Sequence, residues 1–465
     1  MSPQTTGIYS KKYALRYGFA FIETVIVTVM FAKVWYDFVV VHNQTNHLTG
    51  LGNLGMAFGI YLIIVMFFMK KLGGYTIGVN RKMVILASQV SALFCADFVE
   101  IFISMAITGQ FRFGFMFFRQ YAVLWAVQSL ITAVLSYFMV DIYRKVVPPL
   151  RLLEIHGEHR NTLSEKLNEL VYKYRVVKSL PATLPMDELI SEMSDVDAVL
   201  INDLPSTDKN HLLKKCFELD KRVYLTPKLS DIMVRNSEDL NLVDTPIYLF
   251  RNSGIPRWKL AVKRLFDIVS SALVLVILSP IFAVIAYLIH HEDGGPVFFR
   301  QERVTQNGRR FMILKFRSMI VDAEKDGRPH PAGEDDPRIT KIGKFIRKTR
   351  IDEFPQLVNI IKGDMSVVGP RPERWEHVEK YTEDIPEFKL RLKAKAGLTG
   401  LAQVYGKYNT SALDKLKMDL MYIENFSLFM DVQILFETLR VLFQGESTEG
   451  FTEEATNVMH DYEGL

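Results

Sequence analysis

Four long apolar segments near the amino terminus constrain this chain more than any other feature of its sequence. They cover roughly residues 17–41, 51–69, 83–108 and 116–140. Each is long enough to cross a bilayer as a helix, which takes about 20 residues. The first segment is too long for a cleaved signal peptide, and no small-residue cleavage site follows it. The sequence therefore predicts a four-helix transmembrane bundle in residues 1–145.

The basic residues around these segments predict their orientation. Lys and Arg precede the first segment and follow the second and the fourth, whereas the first connection contains neither and the third contains only Arg112. Because cytoplasmic loops are enriched in Lys and Arg, the amino terminus and everything after the fourth segment are predicted to be cytoplasmic. The net charge is only +4, and the cations cluster beside apolar segments, so a membrane surface is favoured over nucleic acid as their partner.

Acidic residues lie within the apolar segments, among them Glu23 in the first and Asp97 and Glu100 in the third. Ionisable groups inside a membrane are energetically costly and are usually retained for a function. A functional interpretation therefore makes these residues a polar pathway or a site for a lipid headgroup. A structural interpretation pairs these acids inside the bundle, with Lys33 or Arg119 as candidate partners, or places them near the membrane interface. The structural interpretation is favoured, because so few ionisable groups argue against a transporter.

Residues 146–252 alternate short apolar runs with amphipathic segments. Strands are predicted at 152–155, 175–178, 197–201 and 222–225, and helices at 162–171, 186–193 and 208–219. Such alternation predicts a small Rossmann-like α/β domain with a parallel sheet. The turn after the first strand contains Gly157 but lacks the G-x-G-x-x-G pattern that brings a pyrophosphate close to the backbone. The domain is therefore predicted to be a scaffold, a regulatory module or an oligomer contact.

A fifth apolar segment, residues 268–289, is long enough to span a membrane but carries Pro280 near its middle. Proline removes a backbone hydrogen bond and bends a helix. Cations flank both ends of the segment, so the positive-inside rule places both ends in the cytoplasm. The sequence therefore predicts a re-entrant helix-break-helix hairpin near residues 265–290. The flanking cations are Arg257, Lys259, Lys263 and Arg264 before it and Arg300, Arg303, Arg309 and Arg310 after it.

The adjacent carboxylates Asp352 and Glu353 follow a run of cations and precede Pro355. Proline suits the first position of a helix, so a short helix is predicted from Pro355 to Ile361, with the acidic pair at its positive end. For these residues alone, a solvated acidic pair at a helix start is the simpler interpretation. The surrounding basic residues instead favour a site that acts on a small, doubly charged substrate with a metal ion.

Basic residues lie both before and after this pair in the sequence. Lys341, Lys344, Arg347 and Lys348 recur at helical spacing and form one basic face. Arg371 lies between two prolines on a glycine turn, which limits the entropy lost when its guanidinium binds a phosphate. A cationic face of this kind suits nucleic acid, anionic lipid or a pyrophosphate, and the acidic pair among the cations favours the last of these.

Four motifs occur in order along this region: Lys315–Met319, Asp352–Leu357, Gly363–Ser366 and Gly369–Pro372. Together they resemble the bacterial sugar transferases, which are monotopic polyprenyl-phosphate phosphoglycosyl transferases. The resemblance runs from about residue 263 to about residue 442, and the whole layout is similar to the large members that start exopolysaccharide, capsule or O-antigen synthesis. It implies a mainly helical catalytic domain, residues 253–445, with a re-entrant hairpin, on the cytoplasmic face of the bacterial inner membrane.

The resemblance also implies a reaction. Asp352 attacks the β-phosphorus of a uridine diphosphate (UDP) sugar, uridine monophosphate (UMP) leaves, and the resulting phosphosugar-aspartyl intermediate passes its sugar phosphate to undecaprenyl phosphate. Glu353 orients the site, binds metal or assists proton transfer. Mg²⁺ is the implied cofactor, and its candidate ligands are Asp352, Glu353 and Asp364, although Asp364 would equally stabilise the turn after Gly363. The candidate phosphate-binding residues are Arg347, Arg371, Lys315, Arg317 and Arg303.

The last part of the chain carries two further patterns. Lys389, Arg391, Lys393 and Lys395 alternate with apolar residues and predict either an interfacial segment that binds headgroups or a solvated basic face. The amphipathic stretch 423–442 is predicted to pack or to lie on the membrane, and residues 446–465 form an acidic tail. A homodimer is compatible with a middle domain that has no catalytic fingerprint, and the spacing leaves the oligomeric state open.

Three other classes of protein compete with this prediction. A glycosyltransferase that moves only the sugar would release UDP rather than UMP. A polytopic transferase would carry its acids on loops between many spans, and a membrane sensor or interaction protein would not need the Asp352–Glu353 pair. Resemblance to the large members favours a hexose donor, glucose or galactose, with N-acetylated sugars next.

Overall fold

The computed structural model describes residues 3–37, 51–108, 114–157, 161, 163–241, 244–250, 256–321, 323, 336–406 and 410–444. The predictions for the first connection, for Arg112 and for the acidic tail lie outside the described residues. The chain forms two units, Met1–Thr226 and Pro227–Leu465. Residues 227–252, predicted to continue the α/β domain, are part of the second unit.

The amino-terminal region consists of four long helices. They are α1 (Pro3–Trp35), α2 (Leu51–Lys71), α3 (Lys82–Thr108) and α4 (Gly114–Val146). Each contains a stretch that is long and apolar enough to cross a membrane. Each helix packs against its neighbours in sequence, and α4 also packs against α1. The four apolar segments predicted from the sequence are therefore helices in the structure.

Two acidic side chains of these helices, Glu23 and Asp97, have neutral hydrogen-bond partners. Glu23 accepts hydrogen bonds from Nε2 of Gln89 at 3.1 Å and from the hydroxyl of Ser136. Asp97 accepts a hydrogen bond of 2.6 Å from the hydroxyl of Tyr61. A buried polar group is tolerated when it is hydrogen-bonded. These hydrogen bonds also connect α1 to α3 and α4, and α2 to α3.

The cations proposed as partners of Asp97 and Glu100 point elsewhere. Lys33 and Arg119 are both exposed on their helices, whereas Glu100 is fully buried. The predicted ion pairing with Lys33 or Arg119 is therefore wrong. A Lys or Arg on an apolar helix gains more by keeping its charged end in a polar environment than by entering a helix bundle.

A parallel sheet completes the first unit. Its elements are β1 (Leu150–His156), α5 (Leu163–Asn168), β2 (Tyr174–Pro181), α6 (Met186–Ser194), β3 (Ala198–Asn202), α7 (Ser206–Glu218) and β4 (Arg222–Leu225). The strand order is β2-β1-β3-β4 and every pairing is parallel. All five residues of β3 are buried, as expected for a central strand covered on both faces. The predicted small parallel sheet is confirmed.

The glycine after β1 has a packing role in this sheet. A Cβ atom at Gly157 would lie 2.7 Å from the carbonyl oxygen of Asp203, and the Gly157 N–H donates to the carbonyl of Asn202. Glycine is therefore required where the chain leaving β1 passes the end of β3.

The second unit is mainly helical, as predicted. Its elements are α8 (Leu229–Val234), β5 (Glu238–Asn241), β6 (Pro246–Leu249), α9 (Arg257–Asp293), β7 (Phe298–Val304), β8 (Arg310–Phe316), α10 (Lys341–Lys348), α11 (Gln356–Lys362), β9 (Ser366–Val368), α12 (Trp375–Asp384), β10 (Gly397–Thr399), α13 (Leu401–Tyr405), α14 (Ala412–Glu424) and α15 (Leu428–Gln444). β5 pairs with β6 and β7 with β8 in antiparallel fashion, and β9 pairs with β10 in parallel.

The predicted break at Pro280 appears as a proline inside one helix. α9 runs from Arg257 to Asp293 and is the fifth helix that is long and apolar enough to cross a membrane. Pro280 cannot donate to the carbonyl four residues earlier, that of Val276. The hydroxyl of Ser279 donates to this carbonyl instead, at 2.8 Å. The adjacent serine therefore satisfies the group that the proline leaves open. The helix continues through Pro280 without the break that the sequence predicted.

The core of the second unit surrounds α11. Leu357 and Ile360 of this helix are buried against Ile313 of β8 and Val368 of β9, and Tyr422 of α14 belongs to the same cluster. Burying a large aliphatic side chain stabilises a fold by about 1.5–3 kcal/mol. Both the residues before α11 and the strand after it are therefore held by one apolar cluster.

Candidate active site

The acidic pair lies in a 3₁₀ turn, Ile351–Glu353, just before α11. Arg350, which starts this turn, has a left-handed backbone conformation with φ 53°, which is uncommon for a residue other than glycine. This conformation reverses the chain after α10. α11 begins at Gln356, one residue after the predicted start.

Glu353 is held by two cations from different elements. Nζ of Lys315, on β8, donates to Oε1 of Glu353 at 2.8 Å, and a guanidinium nitrogen of Arg371 donates to the same oxygen at 3.3 Å. The Glu353 side chain is only 16% exposed. Burial alone would raise the pKa of Glu353, but Lys315 and Arg371 together hold it well below its usual range. Glu353 is therefore firmly ionised and orders the two cations.

Asp352 has a different environment from its neighbour. Burial raises the pKa of Asp352, and the charge of Glu353 adds to this, while Lys315, Arg347 and Arg371 oppose the rise. No described side chain forms an ion pair with the Asp352 carboxylate. When the surroundings separate the pKa values of two neighbouring carboxyl groups, the two groups take different roles in an active site. Asp352 is the carboxylate that remains available as a nucleophile or metal ligand.

Two of the predicted phosphate-binding residues have other contacts. The Arg317 guanidinium is buried and binds the carboxylate of Asp293 and the carbonyl of Pro296, so it fixes the end of α9 to the end of β8. Arg303 donates to the carbonyl of Pro372 at 3.4 Å. The structure therefore places Arg303 beside the loop that follows β9, and it brings neither residue into contact with the acidic pair.

Asp364 lies beyond the opposite end of α11 from Asp352. Its carboxylate accepts a hydrogen bond from Arg309 at 2.9 Å, and its backbone carbonyl accepts one from the hydroxyl of Thr305. α11 has seven residues, which corresponds to about 10 Å of helix. This position favours the turn-stabilising interpretation of Asp364 over a shared metal with the pair.

Arg371 is carried by a loop that depends on close backbone contacts. The Gly369 N–H donates to the carbonyl of Thr399 at 2.9 Å, and the Gly397 N–H donates to the carbonyl of Pro370 at 2.8 Å. A Cβ atom at Gly397 would lie 2.1 Å from the Gly369 nitrogen. Only glycine allows two backbones to approach this closely, so the position of Arg371 depends on the missing side chain at residue 397.

A buried charge cluster behind this loop is not apparent from the sequence. Arg391 is 3% exposed, and its guanidinium binds the carboxylate of Asp419 on α14. A second carboxylate, that of Glu373, lies 3.6 Å from Arg391. The prediction of a headgroup-binding or solvated basic face is therefore wrong for Arg391. One feature of the sequence could have indicated this burial. Arg391 is the single Arg among the Lys residues of its segment, and Arg is preferred over Lys in buried ion pairs.

The acidic pair has the donor set for a magnesium ion. The described residues contain no group of three or more His, Cys, Asp or Glu side chains placed to hold a metal. Mg²⁺, however, is usually bound by one or two carboxylates together with substrate phosphates and water. Asp352 and Glu353 fit this pattern, since Asp352 is outside any ion pair with a described side chain.

These features define a membrane-associated domain with a cation-lined acidic site next to a buried helix. Residues 258–445 match the family described as bacterial sugar transferase. Over these residues the chain is similar to that family, as its motifs predicted.

Three relatives illustrate the likeness. A UDP-N-acetylgalactosamine-undecaprenyl-phosphate N-acetylgalactosaminephosphotransferase of Aeromonas hydrophila is 41% identical over 208 residues, 44% of this chain and 46% of the relative. A UDP-glucose:undecaprenyl-phosphate glucose-1-phosphate transferase of Klebsiella pneumoniae is 41% identical over 214 residues, 45% of each chain. An undecaprenyl-phosphate galactose phosphotransferase of Salmonella typhimurium is 33% identical over 275 residues, 55% of this chain and 56% of the relative. The chain thus spans about half the length of the curated relatives it matches.

Proposed function

We propose that this chain is an enzyme that transfers a sugar-1-phosphate from a UDP-sugar to undecaprenyl phosphate and releases UMP. The observation that carries the proposal is the division of the acidic pair, in which Lys315 and Arg371 fix Glu353 and leave Asp352 available. A carboxylate can attack phosphorus when cations offset the repulsion between the two anions. The names of the three relatives, all undecaprenyl-phosphate sugar phosphotransferases, support the same reaction.

The proposed reaction has two displacements at one phosphorus atom. An Oδ atom of Asp352 attacks the β-phosphorus of the donor, the bond to the bridging oxygen breaks, and UMP leaves with that oxygen. An oxygen of undecaprenyl phosphate then attacks the same phosphorus. The aspartyl oxygen–phosphorus bond breaks, Asp352 returns to a carboxylate, and undecaprenyl diphosphate sugar is formed. Each step exchanges one phosphorus–oxygen bond for another.

The charged residues of the site have separate tasks in this scheme. Arg347 and Arg371 contact the oxygens of the diphosphate, and Lys315 keeps Glu353 ionised and in place. Asp352 and Glu353 would hold Mg²⁺, which when bound offsets negative charge on the diphosphate. A preorganised set of cations stabilises the charge that develops on the leaving UMP.

The contacts of α9 support a re-entrant arrangement at the membrane. Near the start of the helix, Lys263 pairs with Asp431 at 2.7 Å, and at its end Asp293 binds Arg317. Both ends of α9 therefore contact other elements of the same unit. If α9 spanned the membrane, one of these ends and its partner would lie on the far side of about 30 Å of hydrocarbon. Side chains on both sides of Pro280 are exposed, which suits insertion into one leaflet. With cations at both ends, the active site would face the cytoplasm, where it meets UDP-sugars and the phosphate of the lipid acceptor.

The donor is proposed to be a UDP-hexose, with glucose or galactose first and N-acetylated sugars next. The three relatives are named for N-acetylgalactosamine, glucose and galactose, so likeness to them does not select one sugar. The product would be the first membrane-bound intermediate of an exopolysaccharide, capsule or O-antigen.

A product assay tests the proposed function. The purified protein is incubated in lipid nanodiscs with Mg²⁺, undecaprenyl phosphate and one UDP-sugar at a time, and UMP and UDP are separated by chromatography. Release of UMP with one donor, in step with formation of the lipid-linked sugar, is the expected result. Release of UDP would assign the protein to glycosyltransferases that move only the sugar, and release of neither nucleotide would also count against the proposal.

The loop that carries Arg371 gives a separate prediction. Gly397→Ala is expected to lower the rate of UMP release about 10- to 100-fold, because the new Cβ clashes with Gly369 and a shift of about 1 Å in a binding group has effects of this size. The measurement is the initial rate with saturating Mg²⁺. Gly59→Ala is the control, since a Cβ there meets nothing within 4 Å, and unchanged rates in both variants would show that the loop adapts.

A further inference from the structure

Arg391 is a buried arginine that contacts the Arg371 loop from inside the protein. Its Nε and one terminal nitrogen lie 2.9 and 2.8 Å from Oδ2 of Asp419. The same terminal nitrogen donates to the backbone carbonyl of Arg371 at 3.0 Å. A buried ion pair adds little stability compared with apolar residues of the same size. The Arg391–Asp419 pair is therefore better explained by the position that it gives the Arg371 loop than by added stability.

Glu373 is the second point at which Arg391 contacts the loop. Its carboxylate lies 3.6 Å from Arg391 and 4.0 Å from Arg303, which approaches from β7. Burial would raise the pKa of Glu373, but His377, Arg391, Arg371 and Arg303 hold it at about 2. Glu373 is therefore an anion at neutral pH, and it joins Arg391 to Arg303 across the loop.

The loop held in this way carries the guanidinium that reaches the active site. The Arg371 side chain is 45% exposed, and it contacts Glu353 at 3.3 Å. A long side chain that is about half exposed keeps much rotamer freedom, so its direction depends on the backbone from which it extends. Arg391 binds that backbone at the carbonyl of Arg371 itself.

We propose that Arg391, held by Asp419, is a positioning residue for Arg371 and thereby for the diphosphate of the donor. The inference rests on the proposed function, in which Arg371 contacts that diphosphate. Arg391 presets the backbone so that the Arg371 guanidinium meets the phosphate oxygens in one direction, which reduces the entropy lost on binding. Loss of this presetting raises the KM for the UDP-sugar more than it lowers kcat.

A double-mutant cycle tests the inference. Arg391→Lys keeps a positive charge beside Asp419 but lacks the planar fork that binds Asp419 and the Arg371 carbonyl together. In the wild-type background it is expected to lower kcat/KM for the donor about 10- to 30-fold, as for a lost hydrogen bond to a charged group. In the Arg371→Ala background the same change is expected to cost less than about 2-fold, because the side chain that it positions is absent. Equal losses in the two backgrounds would overturn the proposal.

Arg264→Lys is the matched control for this cycle. Arg264 donates to the carbonyl of Ile360 at 2.6 Å, near the end of α11 that is remote from the acidic pair. Its substitution is expected to cause the same small loss with and without Arg371. If Arg391→Lys does not fold, Asp419→Asn replaces it, because asparagine keeps the shape and one oxygen acceptor. Asp419→Asn is expected to show the same dependence on Arg371.

Affinity for UDP, measured by calorimetry on the same variants, separates this inference from the proposed function. Loss of UDP affinity that depends on Arg371, in a protein that releases no UMP, would support the positioning role and contradict the transfer reaction. UMP release by the wild type, combined with additive losses in both kcat/KM and UDP affinity, would support the reaction and overturn the positioning role.

Discussion

The Asp352→Asn variant is expected to release UMP at least about 10³-fold more slowly than the wild type, because an amide cannot form the aspartyl–phosphorus bond. Asparagine has nearly the size of aspartate, and Glu353 keeps its contacts with Lys315 and Arg371. Donor binding is therefore expected to change far less than turnover. The measurement is kcat and KM from initial rates of UMP release.

The covalent intermediate is measured by leaving out undecaprenyl phosphate. Wild-type protein is expected to release a burst of about one UMP per active site and to retain the labelled sugar phosphate, whereas Asp352→Asn is expected to do neither. Asp414→Asn is the control, an aspartate in the first turn of α14 with a half-exposed side chain. Label on a different residue, or UMP release only after acceptor is added, would contradict the aspartyl intermediate and leave the overall transfer intact.

Local features of the fold could be predicted from the sequence. Pro355 precedes α11, and Gly363 ends it with φ 95°, as proline and glycine commonly do at the two ends of a helix. The run Ala198–Asn202 forms a buried strand because its apolar residues have no polar alternation. These features depend on neighbours within a few residues, which a single sequence contains.

The directions of individual cations could not be predicted in the same way. Lys315 and Arg317 are two residues apart, a spacing that puts side chains on one face of a strand. β8 ends at Phe316, so the strand no longer sets the direction of Arg317. Lys315 then contacts Glu353, and Arg317 contacts Asp293 instead. Strand ends are a property of the whole fold, and no motif spacing determines them.

Contacts between residues far apart in the sequence could not be predicted either, because they also depend on the packing of the whole fold. Arg391 and Asp419 are 28 residues apart, and each looks like one charge among many in its own segment. They meet because Leu420 of α14 packs with Phe388 in a shared apolar cluster, which places the neighbouring Asp419 inside the protein. Apolar packing thus decides which cation in the Lys389–Lys395 run is buried.

The Lys315→Met variant is expected to lower kcat/KM about 100-fold at neutral pH. Lys315 makes the shorter of the two contacts with Glu353, at 2.8 Å against 3.3 Å for Arg371. Removing Lys315 leaves the charge of Glu353 poorly compensated and takes one preorganised cation from the site, and the loss of one such group lowers the rate of an enzyme about 100-fold or more. Steady-state rates with the preferred donor give the measurement.

The pH dependence of Lys315→Met separates an electrostatic role from a loss of structure. Burial raises the pKa of both carboxyls of the pair, and the charge of Lys315 opposes this rise, so removing Lys315 raises both pKa values. Asp352 attacks only as a carboxylate. The acid limb of kcat/KM is therefore expected to move to higher pH, and the deficit relative to the wild type to shrink as the pH rises through the new pKa. Lys315→Arg keeps the charge and is expected to keep the acid limb in place, whereas a deficit independent of pH would show that Lys315 acts through structure instead.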